Sequence, residues 1–286
     1  MTLRKATRQK SKIRLGLSAP AGGGKTYSAL LIASGMTSWD KIALIDTENG
    51  SGDLYSHLGD YNVLSLEAPY SPERYVEAIH QCEKAGMEVI IVDSITHEWD
   101  GKGGILDIHS GMTGNSFTNW ATLTPRHQNF INAILSSPCH VITTVRRKQE
   151  YEMTKDNNGK VKVDKVGMKE ITREGFEYEL TVNLELDIKH NARSSKDRTG
   201  LFMDQPDFVP SAETGKKILD WCNSGVEVDT RPTLNDESMS KLVDRIKAGE
   251  TNLYDKSKAY YNLRPDQDEI LLDATMYASE TKEDVA

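Results

Sequence analysis

A chain of 286 residues, 37% apolar and 27% charged, carries enough apolar material for a full core, which excludes a disordered or fibrous protein and fits one large or two small globular domains. Thirty-five basic against 43 acidic residues give a net charge of -8, which excludes a polycation that coats nucleic acid along its whole length. No stretch approaches the roughly 18 apolar residues of a membrane span and no apolar signal core opens the chain, so no membrane and a cytoplasmic location are expected, while Cys82, Cys139 and Cys222 lack disulfide or zinc spacing.

The charge is unevenly placed. Residues 1–14 carry Arg4, Lys5, Arg8, Lys10, Lys12 and Arg14 with no acid, whereas residues 226–286 hold fourteen acids against eight bases. Between them, short β-branched runs alternate with stretches of helical period. Residues 13–17, 41–46, 62–66, 88–93 and 140–145 read as strands buried on both faces; 25–36, 72–85 and 121–136 read as helices, with Ser71-Pro72 and Thr124-Pro125 as helix starts. Strand alternating with helix predicts an α/β fold with a doubly wound, mostly parallel sheet. Residues 101–118, rich in Gly and polar residues, read as a loop outside the core, and 151–166 as a hairpin turning at Asp156-Asn157-Asn158-Gly159. Residues 180–202 read as strand, turn and strand, with Lys196-Asp197-Arg198-Thr199-Gly200 in the turn. A linker near Asp229-Thr230-Arg231-Pro232 and helices near 236–248 and 266–279 follow. The expected organisation is a basic arm over 1–12, a core over 13–225 that includes the hairpin, and a helical, acidic segment over 226–286.

Chemistry enters at the first strand-to-helix junction. Ala19-Pro20-Ala21-Gly22-Gly23-Gly24-Lys25-Thr26-Tyr27 has the form of a P-loop, with Ala19 where the strict pattern asks for Gly. Glycines let successive N–H groups point inward at phosphate oxygens, and the following helix adds its positive end. Lys25 is placed to reach the β- and γ-phosphates of ATP, and Thr26 to ligand Mg²⁺. The apolar run Val89-Ile90-Ile91-Val92 ends in Asp93, the acidic partner that the metal needs. Two carboxylates are candidates for polarising the attacking water: Glu48, just past the strand at 41–46, and Glu98, five residues beyond Asp93.

Ala43-Leu44-Ile45-Asp46-Thr47-Glu48 resembles the RecA-type recombinases, whose strand after the P-loop helix ends in the catalytic Glu. That resemblance favours Glu48, and it implies that Tyr55, seven residues on, stacks on adenine. Lys196-Asp197-Arg198-Thr199-Gly200 looks like the K-x-R element of hexameric RecA-type ATPases, including the DnaB helicases and RadA proteins. It implies that Lys196 and Arg198 reach a neighbouring subunit's ATP in a homo-oligomeric ring or filament. With APAGGGKT, VIIVDS and TTVRRK in this order, residues 13 to about 222 are similar to the short RecA-like P-loop ATPases of bacteriophages, the AAA-type phage nucleotide-binding proteins, some of which act in single-strand annealing and recombination. The chain departs from many RecA-like proteins at Thr144, where no Gln or Asn is present to sense the γ-phosphate; Thr143, Thr144 or Arg146 takes that role, or sensing is altered.

Arg146, Arg147 and Lys148 lead into a hairpin bearing Lys155, Lys160, Lys162 and Lys165 beside Tyr151. Cations mixed with an aromatic suit single-stranded DNA, and Arg146, Arg147, Lys148, Lys160 and Lys162 are the candidate contacts. The expected function is an ATP- and Mg²⁺-dependent ATPase that oligomerises and acts on single-stranded DNA in recombination or annealing, with a single-strand-binding protein or another recombination factor as a further partner. A phage-encoded chain would work in the host cytoplasm. A ring helicase or helicase loader shares every motif, and an ATP-gated adaptor would turn over slowly or not at all. A small-molecule kinase fits less well, because no Arg-rich lid follows Asp93.

Overall fold

The computed structural model is described over residues 5–155, 161–226 and 231–283, with the side chains of 151–155, 161–166 and 279–283 set aside. The chain divides into two compact units, Met1–Gly225 and Val226–Ala286.

The first unit runs β1 (Arg14–Ala19), α1 (Lys25–Ser34), β2 (Ile42–Asp46), β3 (Asn62–Ser65), α2 (Pro72–Lys84), β4 (Val89–Asp93), α3 (Thr96–Asp100), α4 (Ile105–Gly111), α5 (Ser116–Ser136), β5 (His140–Lys155), β6 (Val161–Glu170), α6 (Phe176–Glu179), β7 (Val182–Leu186), β8 (Ala192–Asp197) and α7 (Ala212–Asn223). The strands form one sheet in the order β3-β2-β4-β5-β1-β7-β8, with β6 paired to the far half of β5. From β3 to β7 the pairing is parallel; β6 and β8 run antiparallel to their neighbours.

Alternate residues of a strand face opposite sides, and here both sides are covered. Leu44, Ile91, Ile142 and Leu184 pack with Leu30 and Ile32 of α1 and Ile218 of α7; Ile45, Ile90, Val92 and Val141 pack with Tyr75 and Ile79 of α2 and Phe130 and Ile134 of α5. The expected α/β architecture, a doubly wound and mostly parallel sheet, is what the chain forms. α1 and α7 approach closely because both carry a glycine at the crossing: a Cβ on Gly35 would lie 1.8 Å from the Ala212 carbonyl oxygen, and one on Gly215 would lie 1.9 Å from that of Ile32. On the α5 face of the sheet the buried Arg14 guanidinium donates to the carbonyls of Leu135, Ser137 and Cys139, closing the end of α5 without a carboxylate.

Several boundaries differ from those expected. Residues 101–118 are largely helical: α4 buries Ile105 completely, and α5 begins at Ser116 because the Asn115 side chain accepts the Phe117 N–H at 2.8 Å. Thr124-Pro125 therefore does not start a helix; Pro125 sits inside α5, where the carbonyl it leaves unbonded belongs to the exposed Ala121. The strand at 140 does not stop before the hairpin. It runs on to Lys155, and pairing with β6 begins at Arg147 opposite Glu170, so 151–155 and 161–166 are only the outer part of a longer ribbon; Asp156 to Gly159 and Lys160 lie outside the described residues. Between β7 and β8 the turn is Asp187 to Asn191, fixed by the Asp187 carboxylate accepting the N–H groups of Lys189 and Asn191. Lys196 and Asp197 consequently end β8 instead of forming that turn.

The second unit packs α8 (Asp236–Lys247), α9 (Leu253–Tyr260) and α10 (Pro265–Glu283) around Leu234, Met239, Ile246, Leu271 and Ala274. α8 and α10 occupy the two stretches expected to be helical; α9 was not expected. Asp229 and Thr230 of the expected linker, and Asp284 of the acidic end, lie outside the described residues. Among the described residues no helix is long and apolar enough to cross a membrane.

Candidate functional site

Parallel pairing lines up the carboxyl ends of the inner strands. Asp46 of β2 stands opposite Asp93 of β4, and Ala19 of β1 opposite Arg146 of β5, so residues far apart in sequence meet at one edge of the sheet. A cavity of about 900 Å³ opens there, lined by Gly22, Gly24, Lys25, Thr26, Glu48 and Asp93 together with Arg146.

The loop from β1 to α1 depends on two left-handed glycines, Gly22 and Gly24, each at φ 77°, a conformation that side-chain-bearing residues rarely adopt. A Cβ on Gly24 would also lie 2.8 Å from His190 Nδ1. The Lys25 ammonium reaches only the carbonyls of Ala19 and Pro20, each at 3.4 Å, and burial pushes it below the ordinary lysine value against the pull of Asp93 and Glu48. A poorly coordinated cation beside a glycine cradle fits a polyphosphate. Thr26 Oγ1 donates to Asp93 Oδ2 at 2.5 Å, and Thr144 Oγ1 donates to the other carboxylate oxygen. Burial raises the Asp93 carboxyl, while the two hydroxyl donors favour its charged form. A hydroxyl and a buried carboxylate side by side form an all-oxygen donor set suited to Mg²⁺.

Glu48 is positioned by Asp46, whose Oδ1 accepts the Glu48 N–H at 2.6 Å and whose Oδ2 accepts that of Gly52 at 3.0 Å. The Glu48 carboxylate faces the cavity and is gripped by Arg146, Nε to Oε1 at 2.9 Å and Nη2 to Oε2 at 2.7 Å. Burial works to raise the Glu48 carboxyl, but the Arg146 hydrogen bonds and charge hold it below the ordinary value. Glu98 has no access to this space: it is fully buried on α3, 3.0 Å from His127 Nδ1 of α5. The apolar end of the cavity is formed by Tyr27, Leu31, Tyr55, Val209 and Pro210, with the two tyrosine rings edge to face at 5.9 Å.

The remaining candidates are scattered. Ala21 also lines the cavity, whereas Pro20 faces a neighbouring hollow, and Ala19 is fully buried with its side chain against Gly23. Arg147 also lines the cavity, but its guanidinium bonds Glu185 at 2.8 Å and the Met168 carbonyl at 2.8 Å, tying the ribbon to β7. Lys148 is exposed; Lys160 and the side chain of Lys162 lie outside the described residues. Lys196 and Arg198 are not brought to this chain's cavity: Lys196 Nζ donates to the carbonyls of Glu177 and Tyr178, and Arg198 Nη2 to that of Tyr178 at 2.9 Å. Sequence reasoning missed Val209, Pro210 and His190 as cavity walls, because the return of the chain after β8 carries the first two there and the β7–β8 turn carries His190.

No curated protein matches the chain. A solved structure described as a prototypical ATPase from the type III secretion system of pathogenic bacteria aligns over 97% of this chain and 80% of its own, at 12% identity and a TM-score of 0.36. Residues 11–219, spanning the glycine loop, Glu48, Asp93 and Arg146, match the family described as AAA domain. With the P-loop geometry above, this match places the chain in the AAA domain family, as a nucleotide-binding ATPase.

Proposed function

We propose that the chain hydrolyses ATP with Mg²⁺, that Glu48 orients the attacking water, and that it works as an oligomer on single-stranded DNA in recombination or annealing. The observation that carries the hydrolytic part is the convergence of Lys25, the Thr26–Asp93 pair and Glu48 on one cavity. In this reading the backbone from Gly22 to Thr26 cradles the phosphates, Lys25 meets their charge, Thr26 and Asp93 hold the metal, and Tyr27 and Tyr55 take the base. A bound magnesium ion supplies charge neutralisation on the phosphate oxygens. Glu48 is favoured over Glu98 because it faces the cavity and Glu98 does not.

The DNA part is supported by the order of the motifs, which resembles the phage recombination ATPases, and by the ribbon of β5 and β6 with its lysines. Assembly is supported by the likeness of Lys196-Asp197-Arg198 to a trans-acting element; both side chains would have to leave the α6 carbonyls to reach a neighbour. Turnover measured with and without single-stranded DNA over a range of protein concentrations tests both. Sigmoidal, DNA-stimulated turnover is expected. Linear, DNA-independent turnover would overturn the DNA and assembly parts and favour an adaptor.

A further inference from the structure

Gly23 and Gly24 meet a second segment of chain, the turn from Asp187 to Asn191 between β7 and β8. A Cβ on Gly23 would lie 3.5 Å from the Asp187 carbonyl oxygen, and one on Gly24 would lie 2.8 Å from His190 Nδ1. The imidazole takes the space that a side chain at position 24 would fill, and it lines the nucleotide cavity. The turn is built to hold it there. The Asp187 carboxylate accepts the N–H groups of Lys189 at 2.7 Å and Asn191 at 2.9 Å and the Asn191 amide at 3.1 Å, while the His190 N–H closes onto the Asp187 carbonyl at 3.1 Å. His190 itself sits at φ 67°, in the left-handed region that residues with side chains rarely adopt.

The two arginines that line the cavity are committed to carboxylates. Arg146, expected to face DNA, holds both oxygens of Glu48, and Arg147 holds Glu185. The His190 ring has no hydrogen-bond partner among the described residues. A neutral imidazole carries one ring N–H to donate, and this one stands against the residue just before Lys25, in the stretch whose amides would cradle phosphates.

Sheet order decides which phosphate it can meet. Glu48 and Asp93 follow β2 and β4, on one side of β1, whereas β7 and its turn lie on the other. The phosphate under attack belongs beside Glu48 and the metal pair, so His190 approaches the polyphosphate from the opposite flank. We infer that His190 is a phosphate-binding residue of this site, donating its ring N–H to an oxygen that ATP and ADP share. The left-handed turn is then the device that brings a donor from the far side of the sheet onto the glycine loop. This rests on the ATP site proposed above.

The test is equilibrium binding of ADP, a non-hydrolysable ATP analogue and inorganic tripolyphosphate, each with Mg²⁺, to the full chain. His190→Gly, which suits the left-handed backbone, should weaken all three by roughly 10- to 100-fold, the scale of a hydrogen bond to a charged group, without lowering the urea midpoint. A loss confined to the two nucleotides would put the ring on the base or sugar, and a loss confined to the analogue and tripolyphosphate would put it on the terminal phosphate. Either result overturns the inference, as would unchanged binding or a loss accompanied by a lowered urea midpoint. A wild-type chain that binds none of the three, or a Lys25→Ala chain that binds all of them as the wild type does, would instead overturn the nucleotide site on which the inference rests.

Discussion

Lys25 and Thr26 were readable because their chemistry is written in consecutive residues; Glu48 and Arg146 are 98 positions apart, and their pairing depends on which strands lie between β2 and β5. Local spacing can nominate both residues but cannot say that one will hold the other. His140 shows the same limit. Its Nδ1 accepts the Ile13 N–H at 3.1 Å, and burial, with Lys12 and Arg14 nearby, pushes its pKa down to about 3. The folded chain therefore keeps His140 neutral at pH values where the unfolded chain protonates it, so stability should fall as pH drops from about 6.5 toward 3, by up to about 1.4 kcal/mol per unit. Urea midpoints of wild type and His140→Asn between pH 7 and 4 isolate this contribution, since Asn can still accept the Ile13 N–H but does not titrate. A smaller pH dependence is expected in the variant; parallel curves would show that His140 does not titrate in this way.

At the level of elements, the buried strands were legible because both faces of a parallel sheet demand unbroken apolar runs, and β2 and β4 have them up to their closing Asp. What failed was punctuation. Glycines around α4 looked like a loop, and Pro125 looked like a start, because exposed helix faces tolerate both when a cap such as Asn115 and a buried anchor such as Ile105 fix the turn. α7 escaped attention, yet it covers α1, the helix that carries Lys25 and Thr26, through the Gly35 and Gly215 crossing. Gly215→Ala places a methyl against the Ile32 backbone and should cost at least about 1–3 kcal/mol as α1 and α7 are forced apart. A denaturation midpoint unchanged from wild type would mean that the two helices are not held at this distance in solution.

For the whole molecule, the charge total of -8 described no surface in particular. The fold gathers the opposing charges that matter for chemistry at the carboxyl end of one sheet, where Lys25 and Arg146 face Asp93 and Glu48. The AAA domain match ends at residue 219, just before the helical unit begins at Val226. Within the first unit, Glu48 is proposed to activate water beside a P-loop that would hold ATP and Mg²⁺. Single-turnover ATP hydrolysis by wild type, Glu48→Gln and Glu98→Gln, each with nucleotide affinity measured alongside, tests this role most directly. Glu48→Gln should retain tight binding and lose about 10²- to 10⁴-fold in rate, while any Glu98→Gln that folds keeps most of its rate. Full hydrolysis by Glu48→Gln, with the loss falling on Glu98→Gln instead, would contradict the account.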